Sequence, residues 1–528
     1  MVETDAPAAG KQRMDGDVMR LPTLPNHFQG TRREIVSLRG LNLTDNIQDG
    51  DMAACKNISA RRYPYFSQRR ARQVQSDYTG VTALTSWGKL VAVRGTDLLY
   101  DGQVVGTVTA GEKQFAVVNT KLIIWPDKVY LDIDSLTVKS LGATAAGTGA
   151  AFTTDTMTVS GWPDLTTLFK AGDAITISGC TEKASNNKSV VIKSLTATSI
   201  TVSANGFAEA TETANITLER KIPDLDYICE SENRLWGCSN KDKTIYASSL
   251  GDPTNFYVYE GLATDGYALA VGSEGDFTGC CKLSTSVLFW KETVLHKMLG
   301  SYPSEYSLYT YNIEGLRKGC HKSLQVINEV LFYMGLHGVY AYSGGTPSLI
   351  SSNFGRKDFT DAVAGTDGDS YYLSVLDGEE RHLLLYDSNT GLWLREDDTR
   401  CVDFARIGKQ VYFLTDGGDV YLSDNGSDDP EVPWEIQLTP FYETADGKKR
   451  YRRLIFRVDI ASGAWMRVFV RYDGGAWREA GKALGGQSGL KDIQIVPKRC
   501  DRFEIKLSGK GPCIIKDLIR EFFVGGDR

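Results

Sequence analysis

The residue types that carry most enzyme chemistry are present in this chain, but their spacing fits no common reaction site. The ten cysteines form no Cys-x-x-Cys pair, and no histidine is followed by another at metal-ligand spacing. There is also no phosphate-binding loop, nucleophile elbow or zinc-protease helix. We therefore predict no catalytic residue, no metal ligand and no cofactor, and we expect that the chain is not an enzyme. The histidines are His27, His296, His321, His337 and His382.

The acidic residues leave one class of enzyme, the glycoside hydrolases, as an alternative. Glycoside hydrolysis needs two carboxyl groups at a separation of ~5–10 Å, and adjacent acidic residues recur along the chain, for example at 379–380 and 397–398. Sequence alone selects no pair among them. The stretch DSNTGLW at 387–393 is faintly similar to the repeated aspartate box of sialidases, but it occurs once and lacks the required aspartate. The acidic stretch 416–429 departs from the EF-hand order, because Gly426 stands where a calcium ligand is needed.

One short segment concentrates a different kind of chemistry. In RRYPYFSQRRAR, at residues 61–72, five arginines surround two tyrosines and a phenylalanine. Guanidinium groups form two-point hydrogen bonds with carboxylates, so this cluster suits an acidic surface on another protein. We predict that these arginines bind a partner, and a solvated surface is the alternative. They are Arg61, Arg62, Arg69, Arg70 and Arg72.

Length and composition indicate a folded protein of several domains. A chain of 528 residues is too long for one hydrophobic core. The net charge of −7 argues against a protein that coats nucleic acid. The opening residues are polar and no run of about 18 apolar residues occurs, so we expect neither a signal peptide nor a membrane span. The sparse cysteines indicate free thiols and synthesis in a reducing cytoplasm.

From residue 81 the sequence repeats a unit of ~35–50 residues, the length of one four-stranded propeller blade. Each unit has a polar turn, a run of three apolar residues (the apolar trio), a second turn and a short strand that contains aromatic residues. We count about six or seven units. A single blade cannot bury both faces, whereas blades stacked around an axis cover one another. The predicted fold class is therefore all-β, with a β-propeller. The aromatic residues that tend to end the trios are Trp125, Trp236, Trp290, Tyr333 and Tyr386.

Other segments interrupt and flank the repeat. One is rich in Thr, Ala, Ser and Gly with short β-branched strands, which predicts a small β-barrel or sandwich inserted in a propeller loop. The C-terminal part has longer strands, which is typical of a jelly-roll-like β-sandwich. The N-terminal part predicts an extended arm behind a flexible lead. The predicted boundaries are lead 1–30, arm 31–80, propeller 81–137 and 220–430, inserted domain 138–219, and sandwich 431–528.

The stretch GLNLTDNIQDGDMAACKNISARRYPYFSQRRAR, at residues 40–72, resembles the opening of tail proteins from short-tailed bacteriophages and related prophages. In that family an early GGLN-type element is followed by an asparagine and by an Arg-Pro-Gly-like closure before the propeller. Gly40-Leu41-Asn42 and Asn57 match this order, whereas RRYPYFSQRRAR replaces the closure. Two further stretches look like blades of the same family: NKDKTIYASSLGDPTNFYVYEG at 240–261 and LLLYDSNTGLWLRED at 383–397.

The resemblance implies the tail nozzle group, whose members are also named tail hub or head-to-tail stabilisation proteins. It implies a ring, commonly hexameric, below the portal and adaptor (head-completion) proteins. Genomic DNA would pass through the lumen without sequence recognition, and fibres or spikes would attach outside. The chain would assemble in the bacterial host cytoplasm and reside in the virion tail. The alternatives are a propeller-based carbohydrate-binding adhesin and a glycan hydrolase.

Overall fold

A computed structural model gives the fold of the protein, and it describes residues 30–443 and 447–524. In these residues the regular structure consists of β-strands and short 3-10 turns, so the predicted all-β class is confirmed. The predicted flexible lead lies outside the described residues except for Gly30. The 3-10 turns are Leu165–Thr167, Ala184–Asn186, His321–Ser323 and Ser352–Phe354.

The segment predicted as an arm is extended chain, and its strands pair with other parts of the same chain. The first four strands join the two C-terminal sheets, and the fifth joins the propeller. These pairings connect residues more than 300 positions apart, so local sequence does not indicate them. The strands are β1 (Thr31–Ile35), β2 (Met52–Lys56), β3 (Ile58–Arg62), β4 (Tyr65–Gln68) and β5 (Gln73–Val74).

Two four-stranded antiparallel blades follow. The first consists of β6 (Val81–Trp87), β7 (Lys89–Arg94), β8 (Asp97–Tyr100) and β9 (Gln103–Thr107). The second consists of β10 (Gln114–Val118), β11 (Lys121–Trp125), β12 (Val129–Asp132) and β13 (Thr137–Ser140). The predicted boundary at residue 138 falls inside β13, which pairs with β12. Its Thr-Val-Lys-Ser sequence resembles the inserted strands in composition, which explains the difference.

The insertion is one seven-stranded sheet with its own hydrophobic core. Its long strands β14 and β20 pair along most of their length, and so bring the two ends of the insertion back together. This is how a domain can interrupt a propeller without separating its blades. The strands are β14 (Ala143–Phe152), β15 (Thr156–Val159), β16 (Ala174–Ser178), β17 (Ser189–Val191), β18 (Ser194–Leu195), β19 (Ser199–Thr201) and β20 (Ala210–Arg220).

Five further blades complete the propeller in the described residues. The third has β21 (Tyr227–Ser231), β22 (Arg234–Ser239), β23 (Thr244–Ala247) and β24 (Tyr267–Ala270). The fourth has β25 (Gly279–Leu283), β26 (Ser286–Trp290), β27 (Val294–Leu299) and β28 (Ser307–Asn312). The fifth has β29 (Gln325–Ile327), β30 (Val330–Met334), β31 (Val339–Tyr342) and β32 (Ser348–Leu349). The sixth has β33 (Phe359–Thr366), β34 (Ser370–Asp377), β35 (Glu380–Asp387) and β36 (Leu392–Asp397).

The seventh blade is closed by the N-terminal segment. Its own strands are β37 (Cys401–Ile407), β38 (Gln410–Thr415) and β39 (Val420–Leu422), and β5 pairs with β39 as the fourth. This blade packs on the first, because β37 contacts β6 and the two blades share one apolar cluster. Strands β22 and β26 are buried at every residue, since neighbouring blades cover both of their faces.

The C-terminal part has two antiparallel sheets around a shared core. One has the order β3-β4-β47-β41-β44, and β1 and β45 pair at its side; the other has the order β2-β40-β46-β42-β43. Inward residues of β41 and β42 alternate with outward ones, as in a sandwich. The strands are β40 (Pro433–Leu438), β41 (Lys449–Ile460), β42 (Trp465–Tyr472), β43 (Arg478–Leu484), β44 (Gln487–Gln494), β45 (Arg499–Cys500), β46 (Phe503–Lys510) and β47 (Cys513–Val524).

Candidate functional site

The predicted arginine cluster divides into an exposed and an internal part. Arg61 and Arg62 end β3, at the tip of the β3–β4 hairpin, and both are exposed. Tyr63 and Tyr65 beside them are 51% and 40% exposed. Arg61 forms an ion pair of 3.3 Å with Asp424, in which both side chains remain about a third exposed. The tip therefore displays two arginines and two tyrosines to the surroundings.

Arg69 and Arg70 lie closer to the body of the protein. The Nε of Arg69 donates to the side-chain oxygen of Asn57 at 2.7 Å, and its Nη1 donates to the carbonyl of Arg70. Burial lowers the pKa of Arg69 from its ordinary value, and nearby Arg72 adds to that effect. Arg70 forms a long ion pair with Asp424 at 3.5 Å and is about a third exposed.

Arg72 has its partners inside the chain. Its two Nη atoms donate to Glu396 and Asp397 at 2.7 Å each, at the end of β36. The three side chains are 11–15% exposed, and the guanidinium lies 5.0 Å from the ring centre of Phe413. Burial alone lowers the pKa of Arg72, but the two carboxylates outweigh burial and raise it. Arg72 therefore connects the N-terminal segment to blade six through largely buried ion pairs.

The residues that carry the family resemblance contact the same strand. The amide of Leu41 donates to the carbonyl of Trp393 at 2.8 Å. A Cβ on Gly40 would lie 2.7 Å from that carbonyl oxygen, so this approach needs glycine. The amide of Asn57 donates to the carbonyl of Glu396.

Asn57 also connects β36 to the sandwich. Its backbone has φ of 57°, in the left-handed region that asparagine tolerates. Its side-chain amide donates to the carbonyl of Pro433 at 2.8 Å, at the start of sandwich strand β40. We call the contacts of Gly40, Leu41, Asn57 and Arg72 with β36 the clamp. Sequence reasoning named these four residues but missed Glu396 as a partner, because no local pattern links it to Arg72.

A second cluster of charged side chains lies at one end of the propeller axis. The first strands of most neighbouring blades contact one another around this axis. Residues in or just before these strands line a cavity of about 350 Å³. They come from six separate segments of the chain. The lining includes Thr82, Glu112, Tyr227, His321, Lys322, Asp361 and Arg400.

Lys322, which lines this axial cavity together with Glu112, lies between the carboxylates of Glu112 and Asp403. Its Nζ is 3.1 Å from Glu112 Oε1 and 3.5 Å from Asp403 Oδ2. The two carboxylate oxygens are therefore at most roughly 7 Å apart, and the paired carboxyl groups of glycoside hydrolases are ~5–10 Å apart. Asp403 also accepts from the amide of Leu84 at 3.0 Å. Lys322 thus bridges Glu112, in the connection between blades one and two, and Asp403 of blade seven.

The environments of the two carboxyl groups differ. Burial raises the pKa of Asp403 to about 6, against the opposing effect of Lys322. Burial also acts to raise the pKa of Glu112, but Lys322 and His321 outweigh it and lower that pKa. Burial lowers the pKa of His321, and Glu112 acts against this effect. Two carboxyl groups with pKa values moved apart are the arrangement that supports acid–base chemistry.

No group of three or more His, Cys, Asp or Glu side chains suited to a metal occurs among residues 30–443 and 447–524. Within the same ranges, no helix is long and apolar enough to cross a membrane. The ten cysteines are free thiols, and most are buried.

Comparison with solved structures finds similar chains at low TM-scores. An exo-β-1,3-galactanase from Phanerochaete chrysosporium, with galactose, matches at a TM-score of 0.23 and 8% identity, over 54% of this chain and 92% of its own. BamB from Moraxella catarrhalis matches at 0.28 and 10%, over 67% and 97%. TmCBM61, in complex with β-1,4-galactotriose, matches at 0.15 and 18%, over 22% and 70%. No protein-family model and no curated protein matches the chain.

These comparisons contradict one prediction. The expectation that the chain is not an enzyme is wrong, because a galactan-degrading enzyme is among the similar structures. That enzyme and TmCBM61 were both solved with galactose-containing ligands. At these TM-scores the likeness transfers neither an activity nor a ligand to this chain.

Proposed function

We propose that this chain is a structural subunit of a bacteriophage virion, which forms the tail nozzle as a ring. The observation that carries the proposal is the clamp. Gly40, Leu41 and Asn57, through which the sequence resembles nozzle proteins, also connect the N-terminal segment and the sandwich to β36. Arg72, in the stretch that departs from the family pattern, adds ion pairs to the same strand. The resemblance to nozzle proteins therefore lies in residues whose contacts set the position of the sandwich relative to the propeller.

A rigid joint between propeller and sandwich suits a ring subunit. Head-to-tail contacts close into a ring only if each subunit repeats the same rotation. A subunit whose two parts moved freely would vary that rotation. The clamp limits such movement through backbone hydrogen bonds and the Arg72 ion pairs. We propose a hexamer that meets portal or adaptor proteins on one side and carries fibres or spikes outside.

The exposed tip of the β3–β4 hairpin is the proposed contact with a neighbouring protein. Arginine and tyrosine are enriched where interfaces gain most of their affinity. Arg61, Arg62, Tyr63 and Tyr65 are all exposed there. Arg72 belongs to the clamp, and Arg69 donates to Asn57 of the clamp. Charge reversal at either position would therefore disturb folding as well as assembly.

The axial cavity bears on the path of DNA in this proposal. Lys322 lines this cavity and bridges Glu112 and Asp403, which come from different parts of the propeller. Duplex DNA would then run through the lumen between copies of the chain, and the axis of each propeller would remain closed. The mildly acidic chain, with its net charge of −7, would limit adhesion of phosphates to the wall of the lumen. The assembled ring would reside in the virion tail, after assembly in the host cytoplasm.

Negative-stain microscopy and sedimentation with portal and adaptor proteins test the proposal. The unmodified chain is expected to form rings. The variant Arg62→Glu/Tyr63→Ala/Tyr65→Ala is expected to stay monomeric with an unchanged melting temperature. The matched control Lys241→Glu/Tyr259→Ala/Tyr309→Ala alters equally exposed side chains of the propeller and is expected to assemble. Rings from the hairpin variant would refute the assigned contact, and monomers from the unmodified chain would refute the ring.

A second candidate function, glycan hydrolysis, is favoured by the two carboxyl groups that Lys322 bridges. Protonated Asp403 would donate its proton to the glycosidic oxygen, and the Glu112 carboxylate would act as base toward water or as nucleophile toward the sugar. Release of reducing ends from bacterial and plant polysaccharides tests this. Activity that Asp403→Asn and Glu112→Gln each abolish would support it, and activity that survives both would refute it.

A further inference from the structure

Another cavity lies where blade two, blade three and the inserted domain meet. Its volume is about 540 Å³, within the range of ~300–1,000 Å³ that is typical of pockets for small molecules. Strands β11, β12 and β13, the β23–β24 connection and three segments of the inserted domain contribute to its lining. We call it the junction cavity. In the described part of the chain it shares no lining residue with the axial cavity.

The charged side chains that line the junction cavity are all cationic. Two come from blade two and two from the inserted domain: Lys121, Lys139, Lys170 and Arg220. Among the described residues, no aspartate or glutamate belongs to this lining, whereas Glu112 and Asp361 line the axial cavity. Cations that share one cavity repel one another, and an anion bound among them relieves that repulsion.

Carboxylates behind the lining balance three of these four cations. The pairs are Lys139 with Asp132 at 3.5 Å, Lys170 with Asp252 at 2.7 Å, and Arg220 with the fully buried Asp173. Lys121 forms no ion pair within the described residues, and its Nζ lies 5.8 Å from the ring centre of Tyr130. The cavity therefore keeps one uncompensated positive charge, and the balancing carboxylates do not face it.

Arg220 is held in a fixed position at the cavity wall. Its side chain is 9% exposed. The Nε donates to the carbonyl of Leu141 at 3.2 Å, and Nη1 donates to the carbonyl of Leu168 at 3.3 Å and to Asp173. Within the described residues Nη2 donates to no group, and it is not enclosed by protein. Because Arg220 lines the cavity, Nη2 can donate to a bound anion.

We propose that the junction cavity binds a small phosphate monoester. Such a group carries a charge of about −1.5 to −2 near pH 7, and arginine and lysine are the side chains that bind it best. The phosphate oxygens would accept from Nη2 of Arg220 and from Lys121 and Lys139. The volume leaves room for the carbon skeleton of the ester, which would lie against Leu168 and Phe169 of the lining.

This inference goes beyond the proposed structural role and does not depend on it. The cavity lies outside the clamp and the hairpin tip, and its residues come from blades two and three and from the inserted domain. Ring assembly, measured in the same samples, therefore separates failure of this inference from failure of the structural proposal.

Calorimetric titration of the full chain tests the inference with glucose 6-phosphate and AMP as probes. We expect at least one of these esters to bind, less tightly as salt is added. Glucose, adenosine and inorganic phosphate should bind more weakly or not at all. Lys121→Met should weaken binding about tenfold, equivalent to about 1.4 kcal/mol, and Lys121→Met/Lys139→Met should weaken it further. Lys183→Met/Lys188→Met, which removes two exposed lysines outside the lining, is the matched control and should bind normally.

Chemical labelling locates the ligand independently. The bound ester should protect Lys121 and Lys139 from acetylation, as peptide mass spectrometry would show, and should leave Lys183 and Lys188 fully reactive. Absence of binding by the folded, unmodified chain would overturn the inference. Full affinity in Lys121→Met/Lys139→Met would do the same, because the ligand would then lie elsewhere. Equal affinity for inorganic phosphate and for both esters would reject a monoester as the ligand of this cavity.

Discussion

Replacing Arg72 by methionine should destabilise the protein strongly, although Arg72 belongs to a cluster that looks like a surface patch in sequence. The substitution leaves the carboxylates of Glu396 and Asp397, which are 11% and 15% exposed, without their cation. Removal of one partner from a buried ion pair costs about 3–5 kcal/mol. That is a large part of the ~5–15 kcal/mol that stabilises most proteins. Arg70→Met is the control, because its exposed pair with Asp424 at 3.5 Å contributes at most about 1 kcal/mol.

Urea unfolding followed by tryptophan fluorescence measures the effect, since Trp393 and Trp434 lie on either side of the clamp and are buried. Hydrogen exchange of β36 should accelerate in Arg72→Met and stay slow in Arg70→Met. Equal stabilities of the two variants would refute the clamp. The triple variant Arg72→Met/Glu396→Gln/Asp397→Asn should recover most of the loss, because it removes the unpaired charges together with the cation.

The pH dependence of the same ion pairs has a defined sign. Burial acts to raise the pKa of Asp397, but Arg72 outweighs it and lowers that pKa. The stabilisation from Asp397 is therefore complete above its ordinary pKa of about 3.9 and is lost as the pH falls through the lower, folded-state pKa. In Arg72→Met the dependence should reverse, because protonation relieves the unpaired carboxylates. A variant that still loses stability on acidification, as the unmodified chain does, would contradict this.

Three further predictions concern other parts of the protein. Gly40→Ala should destabilise by about 1–3 kcal/mol, because its Cβ would collide with the Trp393 backbone, whereas Gly345→Ala, with open space around it, should leave the melting temperature unchanged. Asp403 is more stable in the fold when neutral, so its contribution to stability is complete below its ordinary pKa of about 4 and is lost as the pH rises through about 6. In Asp403→Asn, which cannot ionise, this loss of stability with rising pH should be absent. A pH–stability curve of Asp403→Asn identical to that of the unmodified chain would contradict this. Burial raises the pKa of Cys55 to about 12, so iodoacetamide at pH 8 should label Cys55 only after unfolding, as peptide mass spectrometry would show.

The blades could be predicted from sequence because each one is local. Its four strands follow one another, and the aromatic ends of the trios pack between neighbouring blades, as Trp290 does on Tyr333 at a ring-centre distance of 4.7 Å. Alternation in β41 and β42 likewise indicated a sandwich. The seventh blade was harder to count, because its fourth strand is β5, which lies far upstream.

Long-range pairings account for what sequence reasoning missed. Thr31 pairs with Phe522, and Arg72 reaches a carboxylate 324 positions away, so no local pattern connects them. Within the arginine cluster, sequence alone did not separate the exposed Arg62 from the internal Arg72. The axial cavity was not predicted either, because Glu112, Lys322 and Asp403 come from separate blades and meet only once the propeller forms.

Electron microscopy of purified virions, with a label bound to this chain, tests the central proposal most directly. The proposal predicts a ring of label at the tail, below the portal, with the sandwich and the propeller in the fixed relation that the clamp gives them. Label absent from the particle, or present as single protomers away from the tail axis, would contradict it.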